Sequence, residues 1–381
     1  MANALQQLHD LGQSIWLDNI SRPLIRSGEL AAMVRAGLRG VTSNPTIFEK
    51  AIAGSDAYDA QLRELLGSSP RMSTRDLVRD LMIEDIRMAT DTLAPVYERE
   101  GGRDGFVSIE VTPSKARDTR ATVEEVRELW RQVDRKNVMV KIPATREGLP
   151  AIETAIAEGC NINVTLIFSI DRYRAVTQAY LRGLERRLGE GKPIDHVASV
   201  ASIFVSRVDT MVDDLIRSRL AGLKAAAASG RLQGLLGHAA VANAKMIYQA
   251  FKEIFFGSRG ATLALKGASV QRPLWASTGT KNPGYSDLLY VETLVGQHTV
   301  NTVPPATYAA ILERSRPAST VESDIAGACV VLRDLVAAGI DLDSVMKKLE
   351  EDGVAAFERS FDGLERNVAA KQNHLVARTT A

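Results

Sequence analysis

The chain has 381 residues, of which 45% are hydrophobic and 24% charged, with a net charge of +1. That length allows one large domain or two smaller ones, and the near-zero charge removes any global electrostatic case for a nucleic-acid or membrane partner. No run approaches the ~18 apolar residues of a membrane span, there is no basic-then-apolar leader, and two cysteines in so long a chain fit a reducing compartment, so a cytoplasmic protein is expected.

Short β-like segments recur along the chain. The first is Ser14-Ile15-Trp16-Leu17-Asp18, and the second is Gly40 to Asn44, ended by Pro45. The third is Phe106 to Val111, the fourth Val138 to Ile142, ended by Pro143, and the fifth Asn161 to Phe168. The sixth is His196 to Phe204, the seventh Pro273 to Thr278, and the eighth Val300 to Pro304. Between them, 77–98, 123–133, 148–158 and 169–188 carry apolar residues at helical spacing. Ser169 is a good cap for the last of these, with Asp171 in its first turn. Strands alternating with helices predict a parallel sheet. Eight strands in about 300 residues suit a closed (β/α)8 TIM barrel better than an open doubly wound sheet. No Gly-x-Gly-x-x-Gly follows the first strand, which weakens a dinucleotide-binding alternative.

Two regions exceed a minimal barrel. Residues 208–256 read as an Ala-rich insertion of two helices broken near Ala228-Ser229-Gly230. After the eighth strand come helices at about 306–314, 323–338 and 342–369, the last amphipathic and packed on the barrel, with a frayed tail from Lys371 onward. The whole chain, 1–381, is expected to form one barrel domain. Cys160 and Cys329 form no metal-like spacing and read as small buried residues. The five histidines do not cluster with carboxylates at ligand spacing, so no metal site is expected. Trp16, Trp130 and Trp275 read as barrel packing.

Lys141 stands out. It lies in the apolar run Val138-Met139-Val140-Lys141-Ile142, which reads as a strand buried on both faces. Burial disfavours an ammonium, and a neutral amine is what Schiff-base chemistry with a carbonyl needs. The alternative is a lysine at a strand end that snorkels to water. The other strand ends are also polar, and in a barrel catalytic groups come from those C-terminal ends. Asp18 ends the first strand. Thr42/Asn44, Ser108/Glu110 and Asn163/Thr165 are each two apart, so each pair shares one face, expected to be the barrel interior. The sixth strand adds Ser202 and Phe204, followed by Arg207.

The third and fifth strands neighbour the fourth, so Glu110 and Thr165 are expected to flank Lys141. A carboxylate, a hydroxyl and a lysine in a dry pocket can relay protons through a water, as carbinolamine formation and dehydration require. Asp18 is a second carboxylate across the mouth, suited to a base that makes or breaks a carbon–carbon bond. Asn44, Asn163 and Ser202 are suited to the hydroxyls of a polyol. Phe204 is expected to face the pocket and help keep it dry. Taken singly, Asp18 could be a cap, Glu110 an ion pair to Lys141, and Asn44 a turn former before Pro45. Five strands ending this way around one lysine are harder to explain structurally.

For phosphate, barrels favour the loops after strands seven and eight. Ser277-Thr278-Gly279-Thr280-Lys281 offers small residues whose backbone N–H groups can approach an anion, plus a cation. Arg207 could supply a bidentate clamp, or it could pair with Asp209 or Asp213.

The segments Ser14–Asn19, Gly40–Phe48, Val138–Ala144, Asn161–Ser169 and Ser202–Arg207 together resemble transaldolase motifs, in the right order and most like the longer bacterial form. The resemblance implies a class I aldolase barrel of the pentose phosphate pathway. It implies transfer of a dihydroxyacetone unit from sedoheptulose 7-phosphate to glyceraldehyde 3-phosphate, giving erythrose 4-phosphate and fructose 6-phosphate, without cofactor or metal. By the same resemblance Lys141 matches the Schiff-base lysine, Glu110 and Thr165 the proton-relay pair, and Asp18 the acid/base aspartate. Asn44, Asn163 and Ser202 match the dihydroxyacetone contacts, and Arg207 a phosphate-binding arginine. The stretch from Trp275 to Pro283 departs from the shorter forms, so Ser277 and Lys281 rest on the barrel argument alone. The extra helices leave monomer and homodimer both open. The nearest alternative is a fructose 6-phosphate aldolase of the same fold, a group that resembles this chain but carries glutamine where Glu110 stands and tyrosine where Phe204 stands. A non-catalytic sugar-phosphate-binding barrel would not need Lys141, Glu110 and Asp18 together.

Overall fold

A computed structural model describes residues 3–221 and 226–379, the side chains of 226–229 and 376–379 excepted. Eight strands form: β1 (Gln13–Leu17), β2 (Gly40–Val41), β3 (Phe106–Glu110), β4 (Val138–Pro143), β5 (Ile162–Ile167), β6 (Ser199–Phe204), β7 (Arg272–Ala276) and β8 (Thr299–Val303). Each pairs in parallel with the next, and β8 pairs with β1, so the sheet closes into a (β/α)8 barrel in chain order. The strands are buried along nearly their whole length, as expected for a parallel sheet covered by helices.

Helix α1 (Ala4–Asp10) precedes β1, and α2 (Arg22–Arg26) and α3 (Glu29–Ala36) lead to β2. Helices α4 (Pro45–Ala53), α5 (Asp59–Ser68) and α6 (Thr74–Arg99) lead to β3. Single helices α7 (Thr119–Val133), α8 (Gly148–Glu158) and α9 (Ile170–Gly189) separate β3 to β6. Then follow α10 (Ser206–Leu220), α11 (Ala226–Gln233), α12 (Ala239–Phe255) and α13 (Ser258–Ala264) before β7, and α14 (Leu289–Glu292) before β8. The chain ends in α15 (Pro305–Arg314), α16 (Ile325–Ala337) and α17 (Leu342–Thr379). Starts follow local chemistry. Ser169 caps α9 by accepting from the Arg172 N–H at 3.0 Å, and Asp118 caps α7 in the same way. Among the described residues no helix is long and apolar enough to cross a membrane.

Several expectations change. The second strand stops at Val41, because Asn44 turns to cap α4 and Pro45 occupies the first helical position. The sixth strand begins at Ser199, not His196. The insertion after β6 holds more than two helices, and Gly230 lies inside α11 rather than at a break. Helices α2 to α5 lie in segments with no predicted helix. The tail beyond Lys371 continues α17 to Thr379, and the Lys371 ammonium is tied to the Ser55 carbonyl and the Asp59 carboxylate at 3.0 Å each. Cys160 is buried as expected, but Cys329 is exposed on α16. Trp16 and Trp275 are fully buried in the barrel, whereas Trp130 sits half-buried on α7.

Two features position the mouth where the strands end. Trp16 fills the barrel interior, and Gly40 is what admits it: a Cβ there would stand 2.5 Å from the indole ring. Helix α17 runs over the C-terminal mouth. Gly353 lets it approach, since a Cβ would lie 2.9 Å from Leu166 and 3.6 Å from the Arg207 guanidinium. Ser360 on α17 hydrogen-bonds Thr46 at 2.7 Å, and Glu350 pairs with Arg172 at 3.0 Å.

Candidate active site

Side chains from strands that do not pair can meet only on the concave side of a barrel. Three polar contacts of that kind lie at the C-terminal mouth. The Thr42 hydroxyl, just beyond β2, is 2.6 Å from that of Thr302 on β8. The Asn163 amide on β5 donates to the Ser108 hydroxyl on β3 at 3.0 Å. The Lys141 ammonium on β4 donates to the Ser43 carbonyl after β2 at 3.0 Å. The alternation argument therefore holds: Thr42, Ser108, Lys141 and Asn163 all point inward, and Lys141 does not snorkel outward. It is 5% exposed.

The register sets Glu110 beside Lys141 on one side and Asn163 beside it on the other. Thr165 pairs with Pro143, one step higher, so it does not flank Lys141 directly. A bulge follows immediately, with the pairing shifting between Val164 and Ile167 and Leu166 held at φ 60°. Such bulges re-aim neighbouring side chains.

Glu110 and Lys141 are not a tight ion pair. Their charged atoms are 4.0 Å apart, and neither Glu110 oxygen has a hydrogen-bond partner. The buried Thr165 hydroxyl also lacks one. Buried polar atoms are seldom left so, which makes the Glu110 oxygens beside the lysine, and the Thr165 hydroxyl one layer above, places for a water or a substrate group. Burial pushes the Glu110 carboxyl up to about 7, against the pull of Lys141 and helped by the charge of Asp18.

Asp18 lies one residue beyond β1 and accepts from the Thr42 hydroxyl at 2.8 Å. Desolvation raises its carboxyl, and Lys141, the Thr42 hydroxyl, Lys281 and Arg207 draw it back down. The Ser202 hydroxyl donates to Asn163 at 2.7 Å, which continues the chain Ser202–Asn163–Ser108 along the interior. Asn44 is both a site neighbour and a cap: its oxygen accepts from the Ile47 N–H at 3.0 Å, and its amide N–H groups remain to donate.

Phe204 packs against Phe168, centroid to centroid at 5.5 Å, and the Arg207 guanidinium stands 5.2 Å over its ring. Arg207 belongs to α10 rather than to the strand. The possible pairing with Asp209 or Asp213 does not form: Asp209 is taken by Tyr290 and Asp213 by Tyr285. Ser277 takes φ 56° after β7, and its hydroxyl lies 3.0 Å from that of Ser206. Lys281 is exposed on the same loop. Ser43 and Thr302 had no sequence signal. Ser43 serves through its backbone carbonyl, which any residue could supply, and Thr302 sits in an otherwise ordinary strand. Among the described residues no group of three His, Cys, Asp or Glu could hold a metal ion.

A closed parallel barrel with an inward lysine, a displaced carboxylate and a second carboxylate at its C-terminal mouth has the layout of a lysine-dependent aldolase. Residues 15–368 match the family model of transaldolase/fructose-6-phosphate aldolase. The chain is 46% identical over 373 residues to "Transaldolase 2" of Nostoc sp. (strain PCC 7120), covering 97% of each chain. It is 48% identical to the transaldolase of Thermobifida fusca over 371 residues, covering 97% of this chain and 98% of that one. With the transaldolase of Thiobacillus denitrificans it shares 46% over 363 residues, 95% of this chain and 98% of the other. The chain belongs to the transaldolase/fructose-6-phosphate aldolase family, on its transaldolase side, and is an enzyme.

Proposed function

We propose that the protein transfers a dihydroxyacetone unit from sedoheptulose 7-phosphate to glyceraldehyde 3-phosphate through a Schiff base on Lys141, in the non-oxidative pentose phosphate pathway. The observation that carries this reading is one inward, buried lysine with the two unpartnered Glu110 oxygens beside it and the unpartnered Thr165 hydroxyl one layer above.

The chemistry follows from those positions. The Lys141 amine attacks the ketose carbonyl to form a carbinolamine. Glu110, near neutrality in its titration, gives a proton to the departing hydroxyl and leaves an iminium and a water. The iminium withdraws electrons as Asp18 takes the proton of the C4 hydroxyl and the C3–C4 bond breaks. Erythrose 4-phosphate leaves, and an enamine stays on Lys141. The enamine carbon then attacks the aldehyde of glyceraldehyde 3-phosphate, Asp18 returns its proton, and water hydrolyses the new iminium to fructose 6-phosphate. Thr42, Asn44, Asn163 and Ser202 are assigned to the hydroxyls of the bound unit. Phe204 is assigned to the dry wall, and Arg207, Ser277 and Lys281 to the phosphate end. No cofactor enters any step. The chain acts as one domain, 1–381, in a cytoplasmic setting that its free cysteines suit.

The alternative is release of free dihydroxyacetone. The Glu110 carboxylate and the apolar Phe204 favour transfer, since both limit protonation of the enamine carbon and hydrolysis of the iminium that protonation would give. Mixing sedoheptulose 7-phosphate with glyceraldehyde 3-phosphate should yield erythrose 4-phosphate and fructose 6-phosphate in equal amounts. Dihydroxyacetone as the main product would make the protein an aldolase instead.

A further inference from the structure

Arg207 and Lys281 are cations with no ion pair or hydrogen bond among the described residues; Arg207 stands 5.2 Å over the Phe204 ring, and Lys281 borders a cavity that Ser206, the residue before Arg207, also lines. They come from different elements: Arg207 from the first turn of α10, and Lys281 from the loop between β7 and α14. Two free cations can hold one anion only if those elements keep a set separation. Four hydrogen bonds behind the mouth, none of them used by the chemistry above, supply that constraint.

Asp209 and Asp213 lie one turn apart on α10, both 2% exposed. Each carboxylate uses one oxygen on the start of α12 and the other on a tyrosine that follows β7. Asp213 accepts from the Gly237 N–H at 2.9 Å and from the Tyr285 hydroxyl at 2.5 Å, and it pairs with Arg217 at 3.7 Å. Asp209 accepts from the Ala240 N–H at 2.7 Å and from the Tyr290 hydroxyl at 2.6 Å. The α12 terminus has no side-chain cap of its own, so α10 supplies one. Gly237 is required twice. Its φ of 75° suits glycine, and a Cβ there would lie 2.7 Å from the Tyr285 ring. Tyr285 and Lys281 border the same cavity of about 310 Å3, together with Ser206, Thr210 and Asn282.

We propose that Tyr285 is a positioning residue for substrate phosphate: by tying the β7–α14 loop to Asp213 on α10, it holds Lys281 at a fixed separation from Arg207. This rests on the sugar-phosphate reading above but not on Schiff-base chemistry. Tyr285 touches no reacting atom. Without its hydroxyl the loop keeps its anchors at Thr278 and Tyr290, so the fold survives while the middle of the loop gains freedom.

The test is calorimetric titration with inorganic phosphate of the wild type, Tyr285→Phe, Lys281→Met and the double variant, with steady-state kinetics on fructose 6-phosphate and on unphosphorylated fructose as donors. Tyr285→Phe should weaken phosphate binding and raise KM for fructose 6-phosphate about five- to tenfold, the loss expected for one hydrogen bond. The value of kcat should stay within about twofold and fructose should be unaffected, while the melting temperature falls by a few degrees because the buried Asp213 loses one partner. In the Lys281→Met background the same change should add nothing, because the two act as a unit. Unchanged phosphate affinity in Tyr285→Phe, full additivity with Lys281→Met, or equal losses on both donors would overturn the inference. So would a wild type that binds no phosphate. A dihydroxyacetone adduct on Lys141 would leave the proposed function standing in each of those cases.

Discussion

At the N-terminal mouth of the barrel, Asp104 accepts from the Ser14 hydroxyl and from the Trp16 indole at 2.9 Å, and Arg272 closes the group by donating to Ser14 at 2.7 Å. At the C-terminal mouth, Glu110 and Thr165 face inward with nothing to bond. Both ends bury charge inside the same barrel. The lower cluster is saturated, so its polar groups lock the strand ends together. The upper one leaves a carboxylate 4.0 Å from a lysine and keeps acceptors open, an arrangement that costs stability and suits a reaction. What separates these two clusters is the state of their carboxylates: both Asp104 oxygens accept hydrogen bonds, and neither Glu110 oxygen does.

Substitutions at the two ends should therefore fail in opposite ways. Lys141→Ala should lower turnover by about 10⁴-fold or more, since the covalent route is gone, with the melting temperature within a few degrees; retained activity would remove Lys141 from the mechanism. Glu110→Gln should slow transfer by about 10²-fold and erase the limb of the pH–rate profile near 7 that the wild type should show. A profile unchanged by the substitution would assign that limb elsewhere. At the lower mouth, Asp104→Asn should cost about 1–3 kcal/mol, the usual cost of impairing a buried charge-assisted hydrogen-bond group, with the part-buried Arg272 still held by Ser14 and the Thr299 carbonyl, while kcat stays within about twofold. Denaturant unfolding and steady-state kinetics on one preparation test both halves. A large loss of kcat without loss of stability would show that the lower cluster is not merely structural.

The smallest effect is a pH dependence of stability. Burial raises Glu110 above its unfolded value of 4.5 to about 7, so its contribution is fully present below about pH 4.5 and is lost as pH rises through 7. Between pH 5 and 8 the wild type should lose about 2–5 °C more in melting temperature than Glu110→Gln does. Parallel curves for the two proteins would mean that Glu110 is hydrated in the folded state.

The asymmetry between the two mouths also explains what could be read from residues alone. The upper site was visible because reactive side chains sit on strands at two-residue spacing, and that spacing names a face. Closure into eight strands followed from their number and spacing. The lower cluster was invisible: Asp104 lies between Arg103 and Gly105 in what reads as a turn, and only the closed barrel brings Ser14 and Arg272 to it. The level of Thr165 depends on pairing register, which alternation does not determine, so the spacing alone sets it beside Lys141 and the register sets it above. Asn44 ends the second predicted strand with a turn former as its alternative, and its capping role shows only once α4 is known to start at Pro45. Helices α2 and α3 are short and mostly part-exposed, so their apolar spacing is weak. Ser43 acts through its carbonyl, which no residue type signals.

The most direct test of the reactive upper mouth is to incubate the protein with fructose 6-phosphate, add borohydride and map the adduct by mass spectrometry. A dihydroxyacetone-sized mass on Lys141, absent from Lys141→Ala, is the predicted result. A folded protein with no adduct, or with the adduct on another lysine, would contradict the account.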